Sequence, residues 1–220
     1  MRMKLFFAVA VSLVFTTGLL APAFGQGMKP IKLPRPELDR GKPLMQALKD
    51  RQSSRKYRSG NISRQTLSNL LWAAFGINRP DLGKRTAPSA LNRQEIAVYV
   101  AMAQGLYLYD PKGNALTPVV SKDLRALTGT QSYVKDAALN LVYVADLSKM
   151  GGGEERLKMY IAAADTGFIG QNVYLFCASE GLVTVFRASI DRKRLGEAMK
   201  LRPDQRITFA QTVGLPASGK

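Results

Sequence analysis

Arg51-Gln52-Ser53-Ser54-Arg55 places two guanidinium groups and two hydroxyls within five residues, directly behind the short amphipathic segment Pro43 to Lys49. A guanidinium is a planar fork of N–H donors able to hold two phosphate oxygens at once, and serine hydroxyls can serve the oxygens left over. The second arginine is placed to face another part of the same ligand. The stretch reads as a grip for the phosphate end of an anionic cofactor, with later segments building the pocket around the remainder. On its own it reads equally well as a solvated basic helix face, the common fate of such runs.

The 220 residues are 46% hydrophobic and 22% charged, enough for one sizeable core. The formal net charge of +16 points toward anionic partners. The cations are spread along the chain, however, without a long Lys/Arg tract or a nucleic-acid signature, so general surface basicity is the reading and no specific nucleic acid is expected. The chain has no His, which removes Ser–His and Cys–His nucleophile pairs, His metal sites and the usual neutral-pH proton carrier. Its single Cys177 excludes an intrachain disulfide and a multi-Cys metal cluster, and its apolar helical setting marks an inert thiol. No metal site is expected. Chemistry must come from a cofactor or from carboxylates.

At the N-terminus Arg2 and Lys4 precede an apolar run, Leu5 to Leu20, and then Ala21-Pro22-Ala23-Phe24-Gly25. This is the three-part pattern of a secretory signal peptide over residues 1–25, and it implies export to the periplasm or beyond, with no membrane span left after cleavage. An uncleaved anchor is the alternative, since the run approaches spanning length. Residues 26–42, with Pro30, Pro34 and Pro36, read as an extended arm suited to lie along a partner surface. Residues 43–220 read as one domain.

Within that domain, Pro43 to Arg51 is a short helix. Ser63 caps a second helix running to Phe75, with Ile62 and Leu67 as a hydrophobic staple and Gly76 as the stop. Asn78 to Ala90 reads as a loop. Ile96 to Ala103 and Leu106 to Tyr109 form a hairpin, and Leu139 to Ala145 is a central strand. Gly151-Gly152-Gly153 is a flexible joint, since no strand leads into it and no Lys-Ser/Thr follows. Glu154 to Glu180 is the longest helix, apolar nearly all round from Tyr160 to Ala178, and reads as the buried centre of the domain or of a dimer. A basic helix near Arg192 to Met199 separates two closing strands, Leu182 to Phe186 and Ile207 to Val213.

Several segments, in order over Pro34 to Pro216, resemble the FMN-dependent nitroreductase family. Arg51-x-Ser53-x-Arg55 is similar to its opening phosphate motif, and Leu70-Leu71-Trp72-Ala73-Ala74-Phe75-Gly76-Ile77 to its second helix. Arg85-Thr86-Ala87-Pro88-Ser89-Ala90-x-Asn92-x-Gln94 resembles its Pro-Ser-Ser-x-Asn-x-Gln loop. Asp165-x-Gly167 with Gln171-Asn172 resembles its long helix, and Val213-Gly214-Leu215-Pro216 its terminal Val-Gly-Tyr-Pro. Gly105-Leu106-Tyr107-x-Tyr109-Asp110-Pro111 is most similar to the SagB-type azoline-oxidase branch.

The resemblance implies an α+β three-layer fold, with a mostly antiparallel central sheet flanked by helices, a long buried central helix, and FMN at the interface of a homodimer. It implies that Arg51, Gln52, Ser53 and Arg55 bind FMN, with Arg51 and Ser53 at the phosphate and Arg55 near the N1/O2 edge of the ring. Pro88, Ser89, Ala90 and Asn92 would reach the flavin of the other subunit. Gln131 would touch the pyrimidine edge, and Ala188 and Ser189 would offer a backbone N–H to N5. The chain departs from the family where Phe186-Arg187-Ala188-Ser189 replaces the N5-loop sequence Pro-Ile-Glu-Gly or Pro-Ile-Gly-Ala. It also ends soon after its last strand, with only Lys220 in place of a C-terminal basic pair.

The implied activity passes electrons through flavin N5 from NAD(P)H or another reductant to a small electron-poor acceptor such as a nitroaromatic or quinone, and needs no acid–base residue. Phe75 and Phe186 are candidate walls for the ring. The alternatives are a substrate-specific dehydrogenase of the SagB type, or a non-enzymatic basic envelope protein binding anionic polymer or lipid.

Overall fold

Leu139 to Ala145 is buried at every position, including Asn140. A strand reaches that state only when both faces of its pleat are covered. A computed structural model describes residues 27–217 and shows what covers them. The expected signal peptide and Lys220 lie outside the described residues.

The elements in chain order are β1 (Ile31–Lys32), α1 (Leu44–Asp50), β2 (Tyr57–Arg58), α2 (Arg64–Phe75), β3 (Ile77–Arg79), β4 (Lys84–Arg85), β5 (Ile96–Met102), β6 (Gly105–Asp110) and β7 (Ala115–Val120). They continue with β8 (Leu139–Asp146), α3 (Glu155–Glu180), β9 (Val183–Arg187), α4 (Arg192–Ala198) and β10 (Gln205–Pro216). The main sheet runs β1-β7-β6-β5-β8-β10-β2, with β9 also paired to β10. Every pairing in it is antiparallel.

Alternation sorts the core into two layers. Val98, Val100, Leu141 and Tyr143 face one way and meet Leu70, Leu71, Ile169 and Val173 of α2 and α3. Tyr99, Val142, Val144 and Ile207 face the other way and meet Leu195 and Met199 at α4. The α+β three-layer fold implied by the resemblance is the one observed. Register breaks once in β10, between Ile207 and Ala210. Arg192 fills the break, its Nε donating to the Ile207 carbonyl at 3.0 Å and its Nη2 to the Thr208 carbonyl at 2.8 Å.

The start of α2 follows the expected cap. Ser63 Oγ accepts from Thr66 N–H at 3.0 Å, and Ile62 packs against the core that holds Leu67.

Two expectations change. The arm lies along its own chain: Ile31 pairs with Leu116, Leu33 is buried, and Ser68 Oγ donates to the Pro34 carbonyl at 2.6 Å. The expected loop from Asn78 to Ala90 contains most of a two-strand ribbon, β3 with β4. Strand β7, broken in pattern by Pro118 and exposed at Thr117, carries too weak an alternation to be read from sequence. Within one chain α3 is buried on one side, which keeps its reading as the centre of a dimer open. Ala162, Ile169 and Val173 face the sheet, whereas Tyr160 is 76% exposed and Phe168 49%.

Candidate functional site

Residues 51–56 leave α1 as an extended strap. Ser54 N–H donates to the Thr184 carbonyl of β9 at 2.9 Å, and Tyr57 Oη donates back to the Ser54 carbonyl at 2.7 Å. Strand β2 then pairs with Leu215 and Pro216 at the end of β10. The strap is thus sewn to the two last strands. The guanidinium of Arg51 stands 5.3 Å from the ring centroid of Tyr174 on α3. The Tyr174 hydroxyl lies 2.7 Å from Ser53 Oγ and accepts from Phe186 N–H at 2.9 Å. A cleft of about 520 Å³ opens beside the strap, lined among others by Lys49, Arg51, Gln52, Ser54, Tyr174 and Thr184. Gln52, Ser53 and Arg55 are exposed.

The turn carrying Gln131 closes on the same corner. Thr130 N–H donates to the Ser189 carbonyl at 3.1 Å, and the rings of Tyr57 and Tyr133 sit 6.0 Å apart. Ala188 and Ser189, just past β9, are exposed. Gln131 Oε1 is buried and has no hydrogen-bond partner. A buried acceptor left unpaired costs about 1–3 kcal/mol, which sets this oxygen apart from its neighbours.

The loop at Pro88 to Asn92 is built differently. Leu91, Asn92 and Gln94 all have positive φ, at 54°, 54° and 50°, a conformation that costs a non-glycine residue about 1 kcal/mol or more. The surroundings hold it there. Gln94 N–H donates to Ser89 Oγ at 3.0 Å, Arg85 Nε to Gln94 Oε1 at 2.7 Å, and Ala90 N–H to Asp165 Oδ2 at 2.9 Å. The result pushes Leu91 outward at 83% exposure. Asp165 and Tyr174 both lie on α3, nine residues apart, which is two and a half turns and about 13 Å of axis. The loop and the strap are therefore anchored on opposite sides of one helix. Within one chain the strap carries Arg51, Gln52, Ser53 and Arg55, and the Thr130–Ser189 bond joins the turn of Gln131 to Ala188 and Ser189, whereas Pro88, Ser89, Ala90 and Asn92 belong to the loop anchored on the other side of α3.

The corner fits a flavin nucleotide. It offers fixed cations beside hydroxyls for a phosphate, and a buried acceptor for the N3–H of a pyrimidine edge. It offers no acid–base pair. Burial pushes the Cys177 thiol up, so its thiolate is disfavoured. The two aromatics expected as ring walls are used elsewhere. Phe75 is buried in the core, and Phe186 packs 4.7 Å from Phe209 and 5.9 Å from Tyr143, centroid to centroid, because its strand turns that face toward α3.

Sequence reading missed Tyr174 and Arg187. Tyr174 is hidden in an apolar helical run, where its hydroxyl was the one available signal. Arg187, at the end of Val183-Thr184-Val185-Phe186, was visible as a charge closing an otherwise apolar strand, and it is 95% buried by its 5% exposure.

Comparison with known proteins identifies the family. The model of the nitroreductase family matches residues 48–215. A crystal structure of a "putative nitroreductase" from Ralstonia eutropha JMP134 is 41% identical, with a TM-score of 0.83, covering 90% of this chain and 94% of that one. A Methanocaldococcus jannaschii protein, also named a "putative nitroreductase", is 25% identical over 169 residues, covering 72% of this chain and 85% of its own length. The Vibrio harveyi NADPH:FMN oxidoreductase complexed with NAD+ shares the fold at a TM-score of 0.60 and 20% identity, covering 80% of this chain and 69% of that one. Taken with the family match over more than half its length, the chain belongs to the nitroreductase family of flavin-dependent oxidoreductases.

Proposed function

We propose that the protein binds FMN in the corner between the strap, the Gln131 turn and the end of β9, and that two copies complete each site. Arg51 and Ser53 would hold the phosphate, with Gln52 beside them, and Arg55 would stand by the N1/O2 edge. Gln131 Oε1 would accept from N3–H, and the backbone at Ala188 and Ser189 would face N5. Pro88, Ser89, Ala90 and Asn92 would come from the second copy. Bound flavin would supply two-electron transfer at N5, from a nicotinamide nucleotide or another reductant to an electron-poor acceptor such as a nitroaromatic or quinone. The chain's own residues bind, orient and set the local charge.

One observation carries this reading: the two-arginine strap is tied to β9, and Tyr57 just past it lies 6.0 Å, ring to ring, from Tyr133 in the turn that holds the unpaired Gln131 Oε1. The homodimer is supported by the opposed anchoring of strap and loop. Exposed Leu44, Met45 and Leu48 on α1, Leu91, and Tyr160 and Phe168 on α3 leave apolar surface of the kind that subunit contacts cover. Export rests on the sequence pattern of residues 1–25. Among the described residues no helix is long and apolar enough to cross a membrane.

The test is a spectrum of the purified protein. Yellow protein that releases FMN on denaturation and bleaches with a reductant supports the reading. Colourless protein that takes up no added FMN, with a steeply salt-dependent affinity for polyanions, overturns it in favour of a polymer binder.

A further inference from the structure

Arg187 is a buried cation with no counter-charge among the described residues. Its residue is 5% exposed, and it lies under the corner where strap, Gln131 turn and β9 meet. Its four hydrogen bonds all go to neutral oxygens. Nε donates to Thr212 Oγ1 at 3.0 Å, Nη1 to the Thr128 carbonyl at 2.7 Å, and Nη2 to Thr128 Oγ1 at 3.4 Å and Asn140 Oδ1 at 3.0 Å. Asn140 in turn is fixed by Thr212 Oγ1, which donates to Asn140 Oδ1 at 2.6 Å, and by donating its own Nδ2 to the Val134 carbonyl at 2.7 Å. Among the described residues no carboxylate pairs with this guanidinium. Burial lowers its pKa, with nearby Tyr133 and Tyr57 opposing, but a guanidinium remains charged at any physiological pH.

Burying a cation without a counter-charge is costly, and burying it for packing alone is poorly explained when a Met or Leu would fill the space at less cost. Its position suggests a use. Gly129 is squeezed between Arg187 and Gln131: a Cβ there would run into Arg187 Nη1 and stand 2.8 Å from Gln131 Oε1. The guanidinium is therefore a neighbour of the unpaired acceptor and braces the turn that presents it. One residue further along the chain, Ala188 begins the exposed N5 loop.

We infer that Arg187 is a positioning and charge-tuning residue for the flavin: it holds the Thr128–Gln131 turn against the pyrimidine edge and offsets the negative charge of the reduced ring. The inference rests on the proposed flavin site. Reduction of the ring by two electrons and one proton, with the proton on N5 and none on N1, leaves one negative charge on the pyrimidine side. A fixed cation in a low-dielectric setting lowers the cost of that charge without protonating N1. In the titration described next, dithionite supplies the electrons and is itself oxidised.

The experiment is a redox titration of FMN-loaded wild type, Arg187→Met and Arg187→Lys between pH 6 and 8, alongside FMN affinity in the oxidised state. For wild type, one proton per two electrons gives a midpoint that falls by about 30 mV per pH unit. Arg187→Met should favour oxidised over reduced FMN about tenfold more than wild type does, which is a midpoint lower by about 30 mV. Arg187→Lys should recover most of it. A wild-type slope near 60 mV per pH unit, or an Arg187→Met midpoint equal to wild type, overturns the inference while leaving the flavin site standing. If Arg187→Met fails to fold, Arg187→Gln, which keeps hydrogen-bond donors and removes the charge, is read in its place. Wild type that takes up no FMN at all overturns the flavin site and this inference with it.

Discussion

The hydroxyl of Tyr174, midway along the back half of α3, lies 2.7 Å from Ser53 Oγ and accepts from the backbone N–H of Phe186 at 2.9 Å. One side chain thereby ties the Arg51–Arg55 strap to the strand that leads to Ala188 and Ser189. Tyr174→Phe removes both bonds with little change in volume. The expected outcome is a stability loss of about 1 kcal/mol by thermal or denaturant unfolding and an FMN affinity weaker by several-fold. Unchanged affinity would mean the strap holds its shape without the tyrosine.

Arg55 is exposed and Arg51 half-buried against Tyr174, both outside the hydrophobic core, so removing them should spare the core. The double substitution Arg51→Ala with Arg55→Ala is expected to weaken FMN binding by about 100-fold or more, since each charge-assisted bond is worth about 1.5–3 kcal/mol. Circular dichroism and melting temperature should stay near wild type. Full FMN occupancy in that protein would remove the phosphate assignment.

Glu95 is fully buried, and neither of its oxygens has a hydrogen-bond partner. Burial raises its pKa to about 7, and Asp165 beside it pushes the same way, while its own backbone N–H and Arg93 oppose. An acid whose folded pKa lies above its unfolded value stabilises the fold when protonated, so stability should fall as pH rises from about 4.5 to about 7 and then level off. Asp165 also holds the Ala90 N–H, so the Pro88 loop should loosen over the same window. Glu95→Gln should flatten this dependence and gain about 1–3 kcal/mol at pH 8. A variant less stable than wild type at pH 8 would contradict the assignment.

Gly170 faces the sheet, where an added Cβ would lie 2.6 Å from Phe186 Cε2. Alanine would gain up to about 1 kcal/mol in helix propensity, yet Phe186 is held between Phe209 and Tyr143 and has little room to move. Overpacking should win, with Gly170→Ala less stable by about 1–2 kcal/mol net. A rise in melting temperature would show that α3 sits further from the sheet.

Most of the fold was legible because periodicity and caps are local. The hairpin of β5 and β6, the run at Leu139, the Ser63 cap and the limits of α3 all follow from neighbours in sequence. What was hidden depends on distant partners. The arm at Ile31 pairs with Leu116, and β2 pairs with the chain's far end at Leu215, so neither carries a local signal. The site divides in the same way. Arg51, Ser53 and Asn92 were visible through motif order, whereas Tyr174 and Arg187 acquire meaning only through hydrogen bonds across the fold.

Leu91 is 83% exposed on a strained loop, which makes it the residue that probes the proposed second copy. Leu91→Arg should halve the mass measured by sedimentation and cost most of the FMN bound, with the monomer's circular dichroism intact. A wild-type monomer that binds FMN fully would remove the shared-site proposal.

The most direct measurement is a titration of the purified protein with FMN, followed by flavin fluorescence and sedimentation together. The account predicts saturation at one FMN per chain, in the micromolar range or tighter, on a species of twice the chain mass. A folded protein that leaves FMN fluorescence unchanged at hundreds of micromolar would contradict it.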